Sequence, residues 1–417
     1  MQDSHPPVVI IGAGMAGLAC GRDLQAAGVP VHIVEADDRP GGRVGSRSIA
    51  GFRCDVGFQV VLDAYPQVQQ RLDMDALSLG RFIPGAKLYW RGKIRPMADP
   101  IRHPRCMGSS LSGPGSLLDK LRMLRLALQH RRMSMDEALA SPQMSTREWL
   151  QCQGFGPQML DHFLTPWFAG ILCDRQLRAS SRLFRAYFAC LSQGAACLPR
   201  GGMQAIPDQL AAQLAPGTIH YGRQVVSAQA NQVRCSDGSV VSARAVVVAT
   251  DAVASARLLR DPAPPPGVGL RSLWFVSTVD PGIGPWIVLD GDGTGPVNHL
   301  AAPSDVCGGY APPGQHLMVA TVLGDDGNAP DLEARVRSQL RQWLGPQVDA
   351  WQCITEQAIA HAQPRQWPED LHQAERDQRH PSGCWQCGDH RDHASIHGAL
   401  ASGERCARDL MQSLTQP

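Results

Sequence analysis

Val8-Val9-Ile10-Ile11-Gly12-Ala13-Gly14-Met15-Ala16-Gly17 opens into an apolar periodicity through Leu18, Leu24 and Ala27 that stops at Gly28. A second apolar run, Val29 to Val34, then ends in Glu35. The first run is β-branched and short, which predicts a buried strand. Strand, glycine turn, helix, strand and acid together make one βαβ unit of the kind that holds a dinucleotide. Each part has a physical task. Gly12 permits the tight turn, Gly14 lets a pyrophosphate approach bare backbone, and Gly17 lets the helix pack close to the sheet. Met15 and Ala16 begin the helix, whose free N–H groups and dipole favour phosphate. Glu35 is placed to accept hydrogen bonds from a ribose 2′-OH, and its carboxylate would repel a 2′-phosphate.

The chain continues Glu35-Ala36-Asp37-Asp38-Arg39-Pro40-Gly41-Gly42-Arg43. An acid followed by R-x-G-G-R resembles the second fingerprint of the flavin amine-oxidase superfamily, which includes monoamine and polyamine oxidases, protoporphyrinogen oxidase and phytoene desaturases. The resemblance implies FAD, with Ala36, Gly41, Gly42 and Arg43 at the cofactor; read without it, Arg43 is a solvated loop arginine. Further segments carry the likeness along the chain. Asp55-Val56-Gly57-Phe58-Gln59 resembles the family's D-x-G segment, where backbone nears the flavin ring, while Asp55 alone reads equally as a turn residue capping its own backbone. Pro199-x-Gly201-Gly202-Met203 is a run shared with protoporphyrinogen oxidases and desaturases. The resemblance puts the backbone of Val225 or Val226 at the adenine and Thr250 at the crossing between domains. Gly388-Asp389 through Ser395-Ile396-x-x-Ala399 resembles the family's C-terminal element, with Asp389 at the ribitol or pyrophosphate and the helix after 395 aimed at the flavin.

The expected fold class is therefore α/β. A Rossmann-type, discontinuous FAD-binding domain would comprise 1–80, 195–260 and 375–417. A second α+β substrate domain with a mixed or antiparallel sheet would comprise 81–194 and 261–374, including a helical subdomain at about 111–190. At 417 residues the chain is too long for one ordinary core, which agrees with two domains. Within this frame we expect a helix over Tyr65–Leu79, a hairpin turning at Arg91-Gly92-Lys93, a helix capped by Ser145 with Glu148 at its third position, a strand over Thr218–Val226, and strands across 270–323.

Phe163-x-x-Pro166-x-x-x-Gly170 resembles a segment that lines the substrate chamber in protoporphyrinogen oxidases and desaturases. Phe163, Trp167, Phe168 and Tyr187 are accordingly the expected substrate pocket, against the plainer reading of aromatic core. Leu117, Leu121, Leu124 and Leu128 share one helical face, with Lys120, Arg122, Arg125, Arg131 and Arg132 around them. Such a basic amphipathic stretch, 117–133, can lie on an anionic membrane. The preferred reading is an ordinary surface helix whose arginines lie over apolar neighbours.

A formal net charge of +1 gives no global attraction for nucleic acid. No apolar stretch is long enough to span a bilayer, and the apolar residues 8–11 are too few for a signal peptide. A cytoplasmic protein is the expectation, with a peripheral membrane contact through 117–133 as the alternative. Thirteen scattered cysteines read as buried thiols. Cys384-x-x-Cys387 lacks the second pair that a closed zinc site needs, so no metal is expected.

Amine oxidases of the family usually set a lysine, through water, against flavin N5. This chain has no lysine after Lys120. That departure favours the protoporphyrinogen-oxidase and desaturase branch, and leaves His299, His390, His397 and Trp385 as candidates by chemistry alone. The expected function is an FAD-dependent oxidoreductase. It would move hydride to flavin N5 from a small apolar substrate of isoprenoid, carotenoid or tetrapyrrole type, with oxygen or a quinone as acceptor. An amine or amino-acid oxidase producing hydrogen peroxide, and a non-catalytic FAD-stabilised assembly protein, are the alternatives.

Overall fold

The computed structural model describes residues 6–99, 102–262, 266–371 and 378–415. A five-stranded parallel sheet runs in the order 219–220, 31–34, 8–11, 245–248, 385–386. The chain builds outward from Val8–Ile11 on one side through Val31–Val34, then returns to its other side with Ala245–Val248. The order reverses between Val8–Ile11 and Ala245–Val248, and a crevice forms beyond the carboxyl ends of strands at such a reversal. All four residues of each of these two strands are buried, as a parallel sheet covered on both faces requires. The first helix, Met15–Ala26, packs against the last, Ile396–Thr415.

A seven-stranded sheet forms the second layer, in the order 352–364, 267–277, 316–323, 297–301, 287–290, 85–90, 93–98. Its pairings are antiparallel except for Ile287–Asp290 beside Gly85–Trp90. Arg91 and Gly92 both have positive φ, the geometry that a two-residue hairpin turn requires. A helical layer, including Leu117–His130, Thr165–Leu172 and Ser181–Gln193, closes over one end. The Ser145–Glu148 capping box forms as expected.

Two sequence expectations need correction. Tyr65–Leu79 is not one helix but two short ones, Pro66–Arg71 and Met74–Leu77. Leu72 is extended, and Asp73 restarts the helix by accepting from the Asp75 and Ala76 N–H groups, so a local cap outcompetes continuation. Thr218–Val226 is likewise two strands: Ile219–His220 joins the parallel sheet, while Val225–Gln229 pairs with Gln232–Cys235 in a separate three-stranded sheet.

Candidate active site

A continuous cavity of about 940 Å³ begins at the strand reversal and extends between the large sheet and the helical layer. Its inner end is a glycine corner. Gly12 takes φ +103°, and a Cβ there would sit 3.0 Å from the Ala249 carbonyl oxygen. Gly17 does not line the cavity; a Cβ on it would come within 2.0 Å of the Gly12 carbonyl oxygen, so its task is the close helix–turn approach. Gly14 caps the first helix with no side-chain hydrogen bond, and the first turn carries no acid. Its N–H groups are thus left for an anion. Gly14 and Gly42 face open space, since the nearest atoms to a Cβ there lie 4.0 and 3.8 Å away. This is a cradle of bare backbone into which a pyrophosphate fits.

Charged groups surround the corner. Glu35, buried at the end of its strand, accepts from the Ala13 N–H at 2.6 Å and the Asp37 N–H at 2.9 Å. Arg43 donates to Asp389 Oδ1 at 2.6 Å and to the Ala362 carbonyl at 3.1 Å. Burial alone would lower the Arg43 guanidinium and raise the Asp389 carboxyl; their pairing outweighs burial, so Arg43 is raised and Asp389 lowered. Residues 346 apart in sequence are thereby joined at the cavity wall.

The match to known families decides the class. The description "flavin containing amine oxidoreductase" fits residues 15–411. The chain belongs to the flavin-containing amine oxidoreductases. It is 28% identical over 426 residues to coproporphyrinogen III oxidase of Propionibacterium freudenreichii subsp. freudenreichii, covering 82% of this chain and 78% of that one. It is 29% identical over 289 residues to phytoene dehydrogenase of Streptomyces griseus, there covering 60% of this chain and only 55% of the relative. Putrescine oxidase, as a double mutant, superposes with a TM-score of 0.73 over 98% of this chain and 99% of that one at 19% identity. At that identity the likeness speaks for the fold alone. The protein is an FAD-dependent oxidoreductase.

In this flavoprotein the sequence-expected cofactor residues fall into two groups. Gly12, Gly14, Met15, Ala16, Glu35, Ala36, Gly41, Gly42, Arg43, Gly57, Phe58, Gln59, Val225, Thr250, Gly388, Asp389, Ser395, Ile396 and Ala399 all line the cavity. Gly17, Asp55 and Val226 do not. Asp55 is fully buried behind the wall, where it accepts from Ser46 Oγ (2.5 Å), Tyr310 Oη (2.9 Å) and the Met203 N–H (3.1 Å). Burial raises its pKa to about 6 against these hydrogen bonds. It ties the D-x-G segment to Met203 of the 199–203 run, a task neither sequence reading assigned. Val226 points outward, because neighbouring strand residues alternate faces and Val225 is the buried one.

The far end of the cavity is lined mainly by apolar and aromatic residues. Phe163, Trp167 and Tyr187 line it, joined by Phe188. Phe168 does not; it is core, 4.2 Å from the Phe184 ring centroid. Of the candidate catalytic groups only His299 reaches the wall. It is buried, its ring lies 5.3 Å from Phe58, and its Nδ1 sits 3.1 Å from Asn298 Nδ2. Asn298 also donates to the Pro166 carbonyl at 3.0 Å, and a Cβ on Gly170 would come within 2.9 Å of His299 Nδ1. The spacing Pro166-x-x-x-Gly170 thus has a local reason here: one residue anchors Asn298 and the other leaves room for the imidazole. Burial lowers His299 to about 4, and its Nε2 has no hydrogen-bond partner. His397 and Trp385 are set aside by position. His397 accepts from the Gln67 N–H at 3.3 Å beside Tyr65, and Trp385 sits on the sheet edge under Arg379. His390 is buried next to Gly388, away from the wall.

Sequence reasoning missed much of the lining: Phe82, Met97, Leu111, Ile171, Leu289 and Ile359. The leucine face, read from sequence either as a membrane contact or as an ordinary surface helix, is exposed. Leu117, Leu121 and Leu128 are 68%, 56% and 50% exposed, whereas Asp119, Leu126 and His130 of the same helix are buried. Met107, Leu111, Leu117, Leu121 and Leu124 combine exposure with a place on the cavity lining, so the far end opens through them.

Proposed function

We propose that the protein dehydrogenates an apolar substrate of isoprenoid, carotenoid or tetrapyrrole type, with oxygen or a quinone as the final acceptor. The carrying observation is the apolar far end of the cavity, walled by Met97, Leu111, Leu121, Leu124, Phe163 and Phe188 and opening through an exposed leucine face. Such a wall gives a long or flat hydrocarbon a dry berth, and the carboxylate beside it, Asp99, is paired with Arg102 at 3.3 Å. In this reading residues 1–80, 195–260 and 375–417 hold the cofactor, and 81–194 and 261–374 hold the substrate. Bound FAD supplies the hydride acceptor. The chain's own residues do the rest. The glycine corner and the Arg43–Asp389 pair fix the pyrophosphate, and Phe163, Trp167 and Phe188 press the substrate flat and exclude water. His299, kept neutral by burial and accepting from the Asn298 amide at Nδ1, carries its hydrogen on Nε2 and offers that N–H as a hydrogen-bond donor to a polar atom of the substrate. The absence of any lysine after Lys120 supports this branch over an amine oxidase.

The same leucine face, flanked by Lys120, Arg122 and Arg125, suits a peripheral contact with an anionic bilayer, from which an apolar substrate would enter. Among the described residues no helix is long and apolar enough to cross a membrane. Anaerobic bleaching of the flavin by a panel of porphyrinogens, liposome-borne polyene precursors and polyamines tests the proposal. Bleaching by a porphyrinogen or polyene supports it. Bleaching by putrescine, with peroxide released in air, replaces it with the amine-oxidase reading, and a flavin that none of them bleaches favours the non-redox one.

A further inference from the structure

Three sulfurs meet where no part of the proposed chemistry uses them. Cys20 lies on the first helix, Cys406 on the last, and Cys387 directly after the edge strand Trp385–Gln386. All three are fully buried, and their Sγ atoms lie within 4.8 Å of one another. The elements that carry them are held by backbone. The Cys387 N–H donates to the Val248 carbonyl at 3.1 Å, and the Gly388 N–H donates to Ser402 Oγ, one turn before Cys406. Gly403 lets the two helices touch, since a Cβ there would lie 2.3 Å from the Ala16 carbonyl oxygen.

Cys384, three residues before Cys387, stands apart from this group. Positions three apart around a two-residue strand face opposite sides of the sheet. Cys384 accordingly packs with Val9, Ile11 and Val248 on one face, and Cys387 with the helices on the other.

We propose that Cys20, Cys387 and Cys406 form a closed three-thiolate site for a soft monovalent cation of the copper(I) class. Three sulfurs about 2.3 Å from a central ion stand ~4 Å apart, within the observed spread. Thiolate donors select soft ions. No histidine or carboxylate joins the group among the described residues, and the sulfurs are closed to water, so the fourth ligand that zinc demands is missing. An ion captured as the last helix docks would bridge it to the helix whose N-terminus forms the glycine corner and to Cys387, one residue before Gly388.

The test uses purified holoenzyme kept anaerobic and given copper(I) as its glutathione complex, then desalted against a competing chelator. One copper per chain should survive, with an X-ray absorption edge and scattering shell of three sulfurs and no nitrogen. Retention should fall at least tenfold in Cys20→Ser, Cys387→Ser and Cys406→Ser, and stay unchanged in Cys152→Ser, whose thiol is exposed. Cys406→Ala serves where a serine variant fails to accumulate. Copper lost on desalting, a nitrogen-containing shell, equal retention in the core variants, or preferential uptake of zinc(II) each overturns the assignment. Flavin content, read on the same samples, separates metal loss from failure of the cofactor site.

Discussion

At one end of the cavity Gly12, Gly14, Gly41 and Gly42 offer bare backbone, and the fixed charges Glu35, Arg43 and Asp389 are locked by short hydrogen bonds. At the other end Met107, Leu111, Leu117 and Leu121 offer flexible apolar side chains, half open to solvent. At Gly12 and Gly41 the first end tolerates almost no change of volume, because carbonyl oxygens stand where a Cβ would go, while Gly14 and Gly42 leave the space that a bound group would fill. The second has room to spare, and the charged residues beside it, Asp99 and Arg102, pair with each other at 3.3 Å. One end is therefore built to recognise a single invariant group, and the other to accommodate apolar shape with little directional bonding.

That contrast can be broken most forcefully at Gly17. Gly17→Val places a side chain against the Gly12 carbonyl oxygen, with roughly 3 kcal/mol or more of overpacking and a collapsed corner. Purified protein should be colourless, and a yellow, normally melting variant would contradict a backbone-defined site. Arg43→Ala comes next. It strands Asp389 in a buried setting and should cost about 2 kcal/mol, less than a wholly buried pair because Arg43 is partly exposed. Flavin occupancy should drop, and Arg43→Ala with Asp389→Asn should recover part of it; no recovery would mean that the pair is not coupled.

His299 stands between the two ends and responds to pH. Its pKa near 4 in the fold lies below about 6.5 for an unfolded histidine. The folded chain therefore binds fewer protons, so this stability is complete above about pH 6.5 and is lost as pH falls toward 4. His299→Gln should flatten part of the decline of the urea midpoint across that window, leaving the larger acid contribution of His397, which burial lowers to about 3. An unchanged slope would place the titration elsewhere. The smallest effect on stability belongs to the open end. Leu121→Glu should shift unfolding by less than ~0.5 kcal/mol, since Leu121 is exposed. Flotation with anionic liposomes should nonetheless fall, and unchanged flotation would remove the membrane contact.

What could be read from residues follows the same division. The glycine turn, Glu35 and the R-x-G-G-R run are legible because each is a local backbone or charge requirement that few residue types meet. Asp55 was legible as important but not as to why, since its partners Tyr310 and Met203 lie far along the chain. Phe168 and Trp167 are adjacent aromatics with opposite fates, and only the packing of Phe184 against one of them separates core from wall.

By itself the sequence determined a dinucleotide corner, its order of strand, helix and strand, and the kinship that makes the cofactor FAD, because these rest on φ, on missing Cβ atoms and on short-range charge. The tertiary structure alone decided that Arg43 meets Asp389, that His299 reaches the wall while His397 and Trp385 do not, that the leucine face stays uncovered, and that Cys387 meets Cys20 and Cys406 instead of Cys384. Those outcomes depend on which elements pack together across hundreds of residues, and no local spacing encodes that.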